Sequence, residues 1–221
     1  MKIYQGTLIS YSINELSEEA KGHAYNKWLE YAEYFHHMEA RGTLNQFCQI
    51  FDVVLENWSV DTCNYSYRCS INNYDIEGIS GIRLTTYIWN NYAKYITKGK
   101  YYSNNKVVDG KYISKSRYSK ILVSFDSCLL SGWCFDYDIL KPVIECLEYK
   151  RIFNSFEGLV KSCLDNFFKA YSSDMEYNTS MECFFEHAGG NEYDIYGNDI
   201  QLAIRLGEFS TVKNKINGGN T

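Results

Sequence analysis

The amino-acid sequence predicts an α+β fold, in which a small antiparallel sheet packs with several helices and the C-terminal third is helical. Two patterns lead to this prediction. Residues 65–71 alternate between large and polar side chains, which is typical of a half-buried strand. Residues 156–171 carry apolar side chains at intervals of three and four, which is typical of an amphipathic helix. Because the 221 residues contain no internal repeat or long linker, we expect a single α+β domain over 1–199 and a C-terminal tail over 200–221.

The N-terminal part predicts a strand followed by a helix. Residues 2–11 are rich in β-favouring side chains. The first helix is expected after Ser17, because its hydroxyl suits an N-cap and two glutamates follow in the first turn. Ala20, Ala24 and Tyr31 recur at helical spacing and are expected to lie on its buried side.

The middle of the chain predicts a helix, a hairpin and another helix. Thr43 and Gln46 have the spacing of a capping box, which places the start of the second helix at Thr43. Residues 53–60 and 64–71 flank a short polar turn and predict an antiparallel hairpin with one buried face. Apolar side chains return to helical spacing from about Ile82, which predicts a third helix.

Three further helices are predicted in the C-terminal third. Asp138 is expected to cap the first of them, and Pro142, the only proline, is expected in its first turn, where proline is tolerated. Asn154 and Glu157 have capping-box order and predict the start of the second helix. The third helix is expected over residues 179–188, because two glycines follow it.

The sequence contains no recognisable targeting signal and no recognisable metal-binding pattern. We find neither a secretory signal nor a transmembrane stretch, which predicts a cytosolic protein without a membrane partner. In the reducing cytosol the eight cysteines are expected to be free thiols. Their spacing to the four histidines fits no zinc motif, and the adjacent His36 and His37 would point about 100° apart on a helix. The sequence therefore predicts no metal and no cofactor.

Charge is distributed unevenly along this chain of net charge −5. Residues 94–120 contain eight basic groups and one aspartate, whereas residues 126–199 contain fourteen carboxylates and five basic groups. Tyrosines interleave with the basic residues of 94–120, a pattern suited to phosphates and stacked bases. The asparagines and glycines in the same stretch are also typical of a solvated loop, so both interpretations stay open. The predicted partner- or nucleic-acid-binding residues are Lys94, Lys98, Lys100, Tyr101, Tyr102, Lys111, Tyr112, Lys115, Arg117, Tyr118 and Lys120.

Catalytic signatures are not recognisable either. Cys128 and Cys134 are candidate nucleophiles, but no local motif connects them with a histidine. Glycine-rich phosphate-binding motifs do not occur. A hydrolase could use carboxylates such as Asp136, Asp138 and Asp165. The sequence therefore favours a protein that is not an enzyme, and a carboxylate-dependent hydrolase is the third of three interpretations.

Several long stretches carry a family resemblance. Residues 127–143 read SCLLSGWCFDYDILKPV, residues 156–177 read FEGLVKSCLDNFFKAYSSDMEY, and residues 191–198 read NEYDIYGN. The chain thereby resembles a family from phages, prophages and conjugative elements that is described as antitoxin-like and has the pattern C-x-L-[ST]-G-x-C-x-D-x-D-I-L-x-P. The resemblance implies a turn into a helix, with cysteines that pack and aspartates that cap. The residues of this structural motif are Cys128, Gly132, Cys134, Asp136 and Asp138.

The resemblance also implies a function in counter-defence. We expect an anti-CRISPR-like or antitoxin-like protein that inhibits a host nuclease, toxin or defence effector by stoichiometric binding in the bacterial cytoplasm. The expected partner is a host defence or toxin protein, nucleoprotein effectors included, and the expected contact surfaces are the 94–120 loop and the acidic helices. The alternative is a nucleic-acid-binding accessory protein that uses the same Lys/Tyr-rich loop.

Overall fold

The computed structural model describes residues 9–31, 34, 36–72, 76, 78–98, 101–108, 111–118, 121–122, 128, 130–148 and 153–206. The helices, numbered along the chain, are α1 (Glu18–Tyr31), α2 (His37–Phe51), α3 (Gly81–Ile96), α4 (Asp136–Glu148), α5 (Phe156–Asn178), α6 (Met181–Ala188) and α7 (Ile200–Arg205). The strands are β1 (Val53–Val60), β2 (Tyr65–Ile71), β3 (Thr97–Lys98), β4 (Tyr101–Val108), β5 (Lys111–Tyr118) and β6 (Ile121–Leu122). Antiparallel pairs join β1 to β2, β3 to β6 and β4 to β5. The predicted α+β fold with a helical C-terminal third is confirmed.

The chain divides into two compact units. Unit 1 comprises Met1–Tyr34 and Glu176–Thr221, and unit 2 comprises Phe35–Met175. The single domain predicted over 1–199 stays a prediction. Residues 200–206, which the sequence places in the tail, form α7 and its C-cap. Across the described residues, no helix combines the length and the apolar character needed to cross a bilayer.

Unit 1 is built on α1 and α6. The Ser17 hydroxyl accepts a hydrogen bond from the amide of Ala20 at 3.2 Å, which confirms the predicted N-cap of α1. Ser180 caps α6 in the same way. The rings of Trp28 in α1 and Phe184 in α6 lie with their centroids 5.6 Å apart. The core contains Ile13, Leu16, Ala20, Ala24, Phe184, Ala188 and Tyr193.

The N-terminal strand predicted over 2–11 lies mostly outside the described residues. Tyr11 forms an isolated antiparallel bridge with Tyr193, in which each amide donates to the other's carbonyl at 2.9 Å. The next turn is closed by Glu15, whose carboxylate accepts hydrogen bonds from both the amide and the hydroxyl of Ser12.

A buried aspartate shapes the turn that follows α6, and a glycine in this turn lets it approach α1 closely. One carboxylate oxygen of Asp194 accepts hydrogen bonds from the amides of Tyr196 and Asn198, both at 2.9 Å, and this fixes a tight turn. Gly197 in this turn has a φ of +83°, and a Cβ at that position would lie 2.0 Å from the carbonyl oxygen of Ala20. Only glycine allows the turn to approach α1 this closely.

Unit 2 contains an aromatic core at the centre of its helices. Phe47 and Phe51 of α2 stack with centroids 4.5 Å apart, and Phe51 stacks on Tyr92 of α3 at 4.4 Å. The helix α2 starts six residues before Thr43, so the predicted capping box at Thr43 is wrong. Thr43 is fully buried, and its hydroxyl hydrogen-bonds that of Ser131 at 3.0 Å, so the hydroxyl has a tertiary partner instead of a helix amide.

The predicted hairpin over 53–60 and 64–71 is confirmed by β1 and β2. One carboxylate oxygen of Asp61 accepts hydrogen bonds from the amides of Cys63 and Asn64 at 2.8 and 2.7 Å, which closes the connecting turn. The hairpin contacts α5, where the Tyr67 hydroxyl donates to Asp165 at 2.7 Å and the Ser172 hydroxyl donates to the Asp61 carbonyl at 2.6 Å.

The start of α5 differs by one residue from the prediction. Ser155 accepts the hydrogen bond from the Gly158 amide at 3.0 Å, so the cap is Ser155 and not Asn154. Both residues are good N-caps by type, which is why the sequence alone did not discriminate between them.

Candidate functional site

The predicted Lys/Tyr-rich loop is a β-ribbon, so the loop assignment is wrong. Lys94 lies in the last turn of α3, where its ammonium group sits 4.5 Å from the ring centroid of Tyr95. Lys98 lies in β3, and Lys100 and Lys120 lie outside the described residues. The asparagines suggested a loop, but the valines, isoleucine and tyrosines between them favour strands. The strands β4 and β5 contain Tyr101, Tyr102, Lys111, Tyr112, Lys115, Arg117 and Tyr118.

The register of the ribbon brings together residues that are distant in sequence. Tyr101 pairs with Tyr118 and Tyr102 pairs with Arg117, so these four residues occupy two neighbouring positions of the ladder. The described pairs of β3–β6 and of β4–β5 have the same register, because the two residue numbers of every pair add up to the same value. Eight residues of β4 extend about 27 Å at about 3.4 Å per residue. Among the described strands, none pairs with the outer edges of β4 and β5.

The motif at 128–138 is a turn into α4, and Asp136 holds it. Asp136 is fully buried, and one carboxylate oxygen accepts hydrogen bonds from the amides of Leu130 and Ser131, both at 2.8 Å. The other oxygen accepts a hydrogen bond from Thr43 of α2 at 3.3 Å and another from the Ser131 hydroxyl. Gly132, with a φ of +88°, supplies the left-handed conformation inside this turn. Asp136 therefore has a structural role.

Asp138 does not cap α4, because the helix already begins at Asp136 and Asp138 is its third residue. Burial raises the pKa of the Asp138 carboxyl, and the nearby Lys141 partly offsets this effect. Pro142 lies in the second turn of α4 and not in the first. Because proline has no amide hydrogen, the carbonyl of Asp138 lacks its helical donor, and the side-chain amide of Asn166 donates to it at 3.0 Å.

Three potential metal ligands meet where α2 begins. The Glu39 carboxylate lies 3.3 Å from Nδ1 of His36 and 3.1 Å from Sγ of Cys134, and the three ligand atoms all lie within 4.8 Å of one another. Cys134 belongs to the turn before α4, 95 positions from Glu39 in sequence. The first residue of α2, His37, contacts the hydroxyl of Tyr171 through its Nδ1. No zinc-binding motif in the sequence indicated this cluster of three residues.

The Glu39 carboxylate accepts a hydrogen bond from the Cys134 thiol and controls its protonation. Cys134 is accessible to solvent, yet partial desolvation, the hydrogen bond to Glu39 and the charges of Glu39 and Asp174 together raise the pKa of its thiol to about 12. The same hydrogen bond holds the pKa of the Glu39 carboxyl below its ordinary value. Cys134 is thus a protonated thiol at neutral pH and is a poor candidate for the nucleophile that the sequence offered.

The other candidate catalytic residues are separately engaged. Asp165 accepts the Tyr67 hydrogen bond, and within the described residues it does not cluster with Asp136 and Asp138. Cys183 and His187 are one helical turn apart in α6, with Sγ and Nδ1 separated by 3.6 Å. Nδ1 lies closer, at 2.8 Å, to the Cys183 carbonyl, so it donates to the backbone and is not positioned as a base for the thiol. All eight cysteines lie in the described part of the chain, and none forms a disulfide there.

Unit 1 has a cavity that sequence reasoning missed. Its volume is about 310 Å³, at the lower end of the range for small-molecule sites. Trp28, Phe184 and His187 form its aromatic wall, and Lys27 and Arg205 also line it. No sequence signal marks this cavity, because its residues come from α1 and from the segment that contains α6 and α7, and these two parts are far apart in sequence.

No protein-family profile matches this chain, and comparisons with curated proteins and with solved structures likewise yield no match. The resemblance of the 127–143 motif to the phage and mobile-element family stays a prediction. The geometry of the motif is that of a hydrogen-bonded turn, with a glycine in the left-handed conformation and a buried aspartate at the first residue of a helix.

The cluster at the start of α2 had one partial signal in the sequence. His36 and Glu39 are three residues apart, a spacing that places two side chains on the same side of a helix. Cys134 could not be assigned to this pair from sequence, because the contact depends on how the turn before α4 packs against α2.

Proposed function

We propose that this protein is a counter-defence protein of a phage or mobile element that inhibits a host nuclease, toxin or defence effector by stoichiometric binding. The proposal rests on the ribbon formed by β3–β6 and β4–β5, which we infer to be the contact surface. Its register collects aromatic and basic residues from two separate stretches at neighbouring positions. Tyrosine and arginine are the residue types enriched at protein interfaces.

The engagement of the potential catalytic groups supports a binding function over catalysis. The Asp136 carboxylate is occupied by hydrogen bonds within its turn, and Asp165 is occupied by the hairpin. The Cys134 thiol is kept protonated. A nucleophilic enzyme requires an activated nucleophile and a positioned base, which are not assembled among the described residues.

The charge distribution supports a protein partner with surfaces of both signs. The basic ribbon suits an acidic patch on the partner, and the acidic stretch 126–199 suits the basic surfaces with which nucleases and nucleoprotein effectors hold nucleic acid. Charge complementarity of this kind accelerates association. We infer that binding takes place in the cytoplasm of the bacterial host.

The test is a capture experiment with the full chain as bait in host lysate, with and without nuclease treatment. We expect one protein partner at a constant stoichiometric ratio that survives nuclease. Lys115→Glu, in β5, should weaken the capture, whereas Lys169→Glu, which makes the same charge change at an exposed position of α5, should leave it unchanged. Equal capture by both variants would show that the ribbon is not the contact surface.

Two other outcomes would replace the proposal. Recovery of RNA or DNA alone, lost after nuclease treatment, would favour the nucleic-acid-binding alternative. In that case the affinity for nucleic acid should fall with salt, with a log–log slope of about −0.9 for each phosphate contacted. If Asp165→Asn leaves the protein folded and its partner bound but abolishes the inhibition, the hydrolase interpretation gains support.

A further inference from the structure

The cluster of His36, Glu39 and Cys134 has the composition of a zinc site. Imidazole, carboxylate and thiolate are all zinc ligands, and the thiolate favours zinc over magnesium or calcium. The side chains of His36 and Glu39 lie next to each other at the start of α2, and Cys134 contacts Glu39 from the turn before α4. We propose that these three side chains bind a zinc ion, with one coordination position left to solvent.

The distances match a small tetrahedral site. With zinc bonds of about 2.1 Å to nitrogen and oxygen and about 2.3 Å to sulfur, tetrahedral ligands lie about 3.4–3.6 Å apart. The separation from the Glu39 oxygen is 3.3 Å to the His36 nitrogen and 3.1 Å to the Cys134 sulfur. Moving these side chains apart by a few tenths of an ångström would accommodate the ion. The nitrogen and the sulfur lie within 4.8 Å of each other and would have to be about 3.6 Å apart in the zinc site.

The frame of the site is fixed without the ion. Thr43 of α2 hydrogen-bonds both Ser131 and the buried Asp136, so the turn that carries Cys134 is attached to the helix that carries Glu39. These bonds lie next to the cluster and do not involve its three ligands. Ion binding would therefore require small side-chain rotations and no rearrangement of the backbone.

The local charge attracts a cation. The Cys134 thiol donates its hydrogen to the Glu39 carboxylate, with Sγ 3.1 Å from the oxygen, so a cation at this position would meet a carboxylate and a sulfur together. Zinc would replace this proton: the zinc–sulfur bond forms, the S–H bond breaks, and the proton leaves to solvent. The side chains of His36 and Glu39 are 42% and 31% exposed, so an ion can enter without opening the core.

The experiment is a Co²⁺ titration of the reduced full chain without oxygen, followed by displacement with Zn²⁺. Cobalt bound to a thiolate gives a charge-transfer band in the near ultraviolet, which reports sulfur ligation directly. We expect the band to saturate at one equivalent and to disappear when zinc is added. Cys134→Ser should abolish the band. Glu39→Gln should weaken zinc binding by at least about 100-fold, since even outer-shell changes cost about 10–100-fold.

Two cysteine variants serve as matched controls. Cys63→Ser removes an exposed thiol in the β1–β2 turn, and Cys69→Ser removes a half-buried thiol of β2; both should keep the band. Circular dichroism confirms that each variant is folded. The proposal is overturned if no band forms at one equivalent, if the band survives Cys134→Ser, or if a control variant removes it. The titration requires no partner, so its outcome is independent of the proposed inhibition.

Discussion

Gly197→Ala should destabilise unit 1 strongly. Gly197 has a φ of +83°, and the left-handed conformation costs a non-glycine residue about 1–2 kcal/mol. The added Cβ would also lie 2.0 Å from the carbonyl oxygen of Ala20, so one of the two backbones must shift by about 1 Å or more. Overpacking of this kind costs about 1–3 kcal/mol. We therefore expect the free energy of unfolding to fall by about 2–5 kcal/mol.

Urea denaturation followed by circular dichroism and by tryptophan fluorescence measures this loss. Gly78→Ala is the control for backbone strain, because Gly78 has the same φ of +83° but a Cβ added there would meet nothing within 4 Å. Gly190→Ala is the control for position, because Gly190 also belongs to unit 1 and has open space around it. Gly78→Ala should cost only about 1–2 kcal/mol. If Gly197→Ala costs no more than Gly78→Ala, the close approach to Ala20 is refuted.

Three further predictions concern unit 2. Asp136→Asn should lower the free energy of unfolding, measured in urea, by about 3 kcal/mol, because an NH2 donor replaces one of the two buried carboxylate oxygens that accept hydrogen bonds. A loss below about 0.5 kcal/mol would contradict the anchoring role of Asp136. Cys134 should react with iodoacetamide at neutral pH about 10–100-fold more slowly than the exposed Cys63, because the pKa of the Cys134 thiol is raised to about 12. The reaction rate of Cys134 should also rise with pH, and peptide mass spectrometry measures the rates of both cysteines. Gly42→Ala should change the free energy of unfolding by less than about 1 kcal/mol, because alanine improves helix propensity and the half-exposed Trp133 can rotate away from the new methyl group. A shift in tryptophan emission should report that rotation.

The sequence predicted the elements whose signal is local. The alternation of 65–71 identified β2, and helical spacing identified α3 and α5. Ser17 was recognised as a cap because its partner, the Ala20 amide, lies three residues away. In each case the pattern and the interaction that it reports fall within a single element, so a single sequence contains all the information needed.

The errors arose where tertiary partners decide the structure. Thr43 has the sequence spacing of a cap, but its hydroxyl bonds a residue 88 positions away. The strand β5 contains more charged residues than the apolar strands that a sequence pattern identifies. Its pairing with β4 offsets this lower intrinsic preference for a strand. The contact of Glu39 with Cys134 depends on the packing of two elements 95 residues apart. None of these partners is encoded in local spacing.

The proline of α4 has an evolutionary consequence. Pro142 leaves the Asp138 carbonyl without its helical donor, and Asn166 of α5 provides the replacement. A relative with an ordinary residue at position 142 would regain the helical bond and no longer need the asparagine. A relative that kept the proline and lost the asparagine would leave the carbonyl without either donor. The two positions should therefore change together, and their covariation among related sequences would by itself identify the α4–α5 contact.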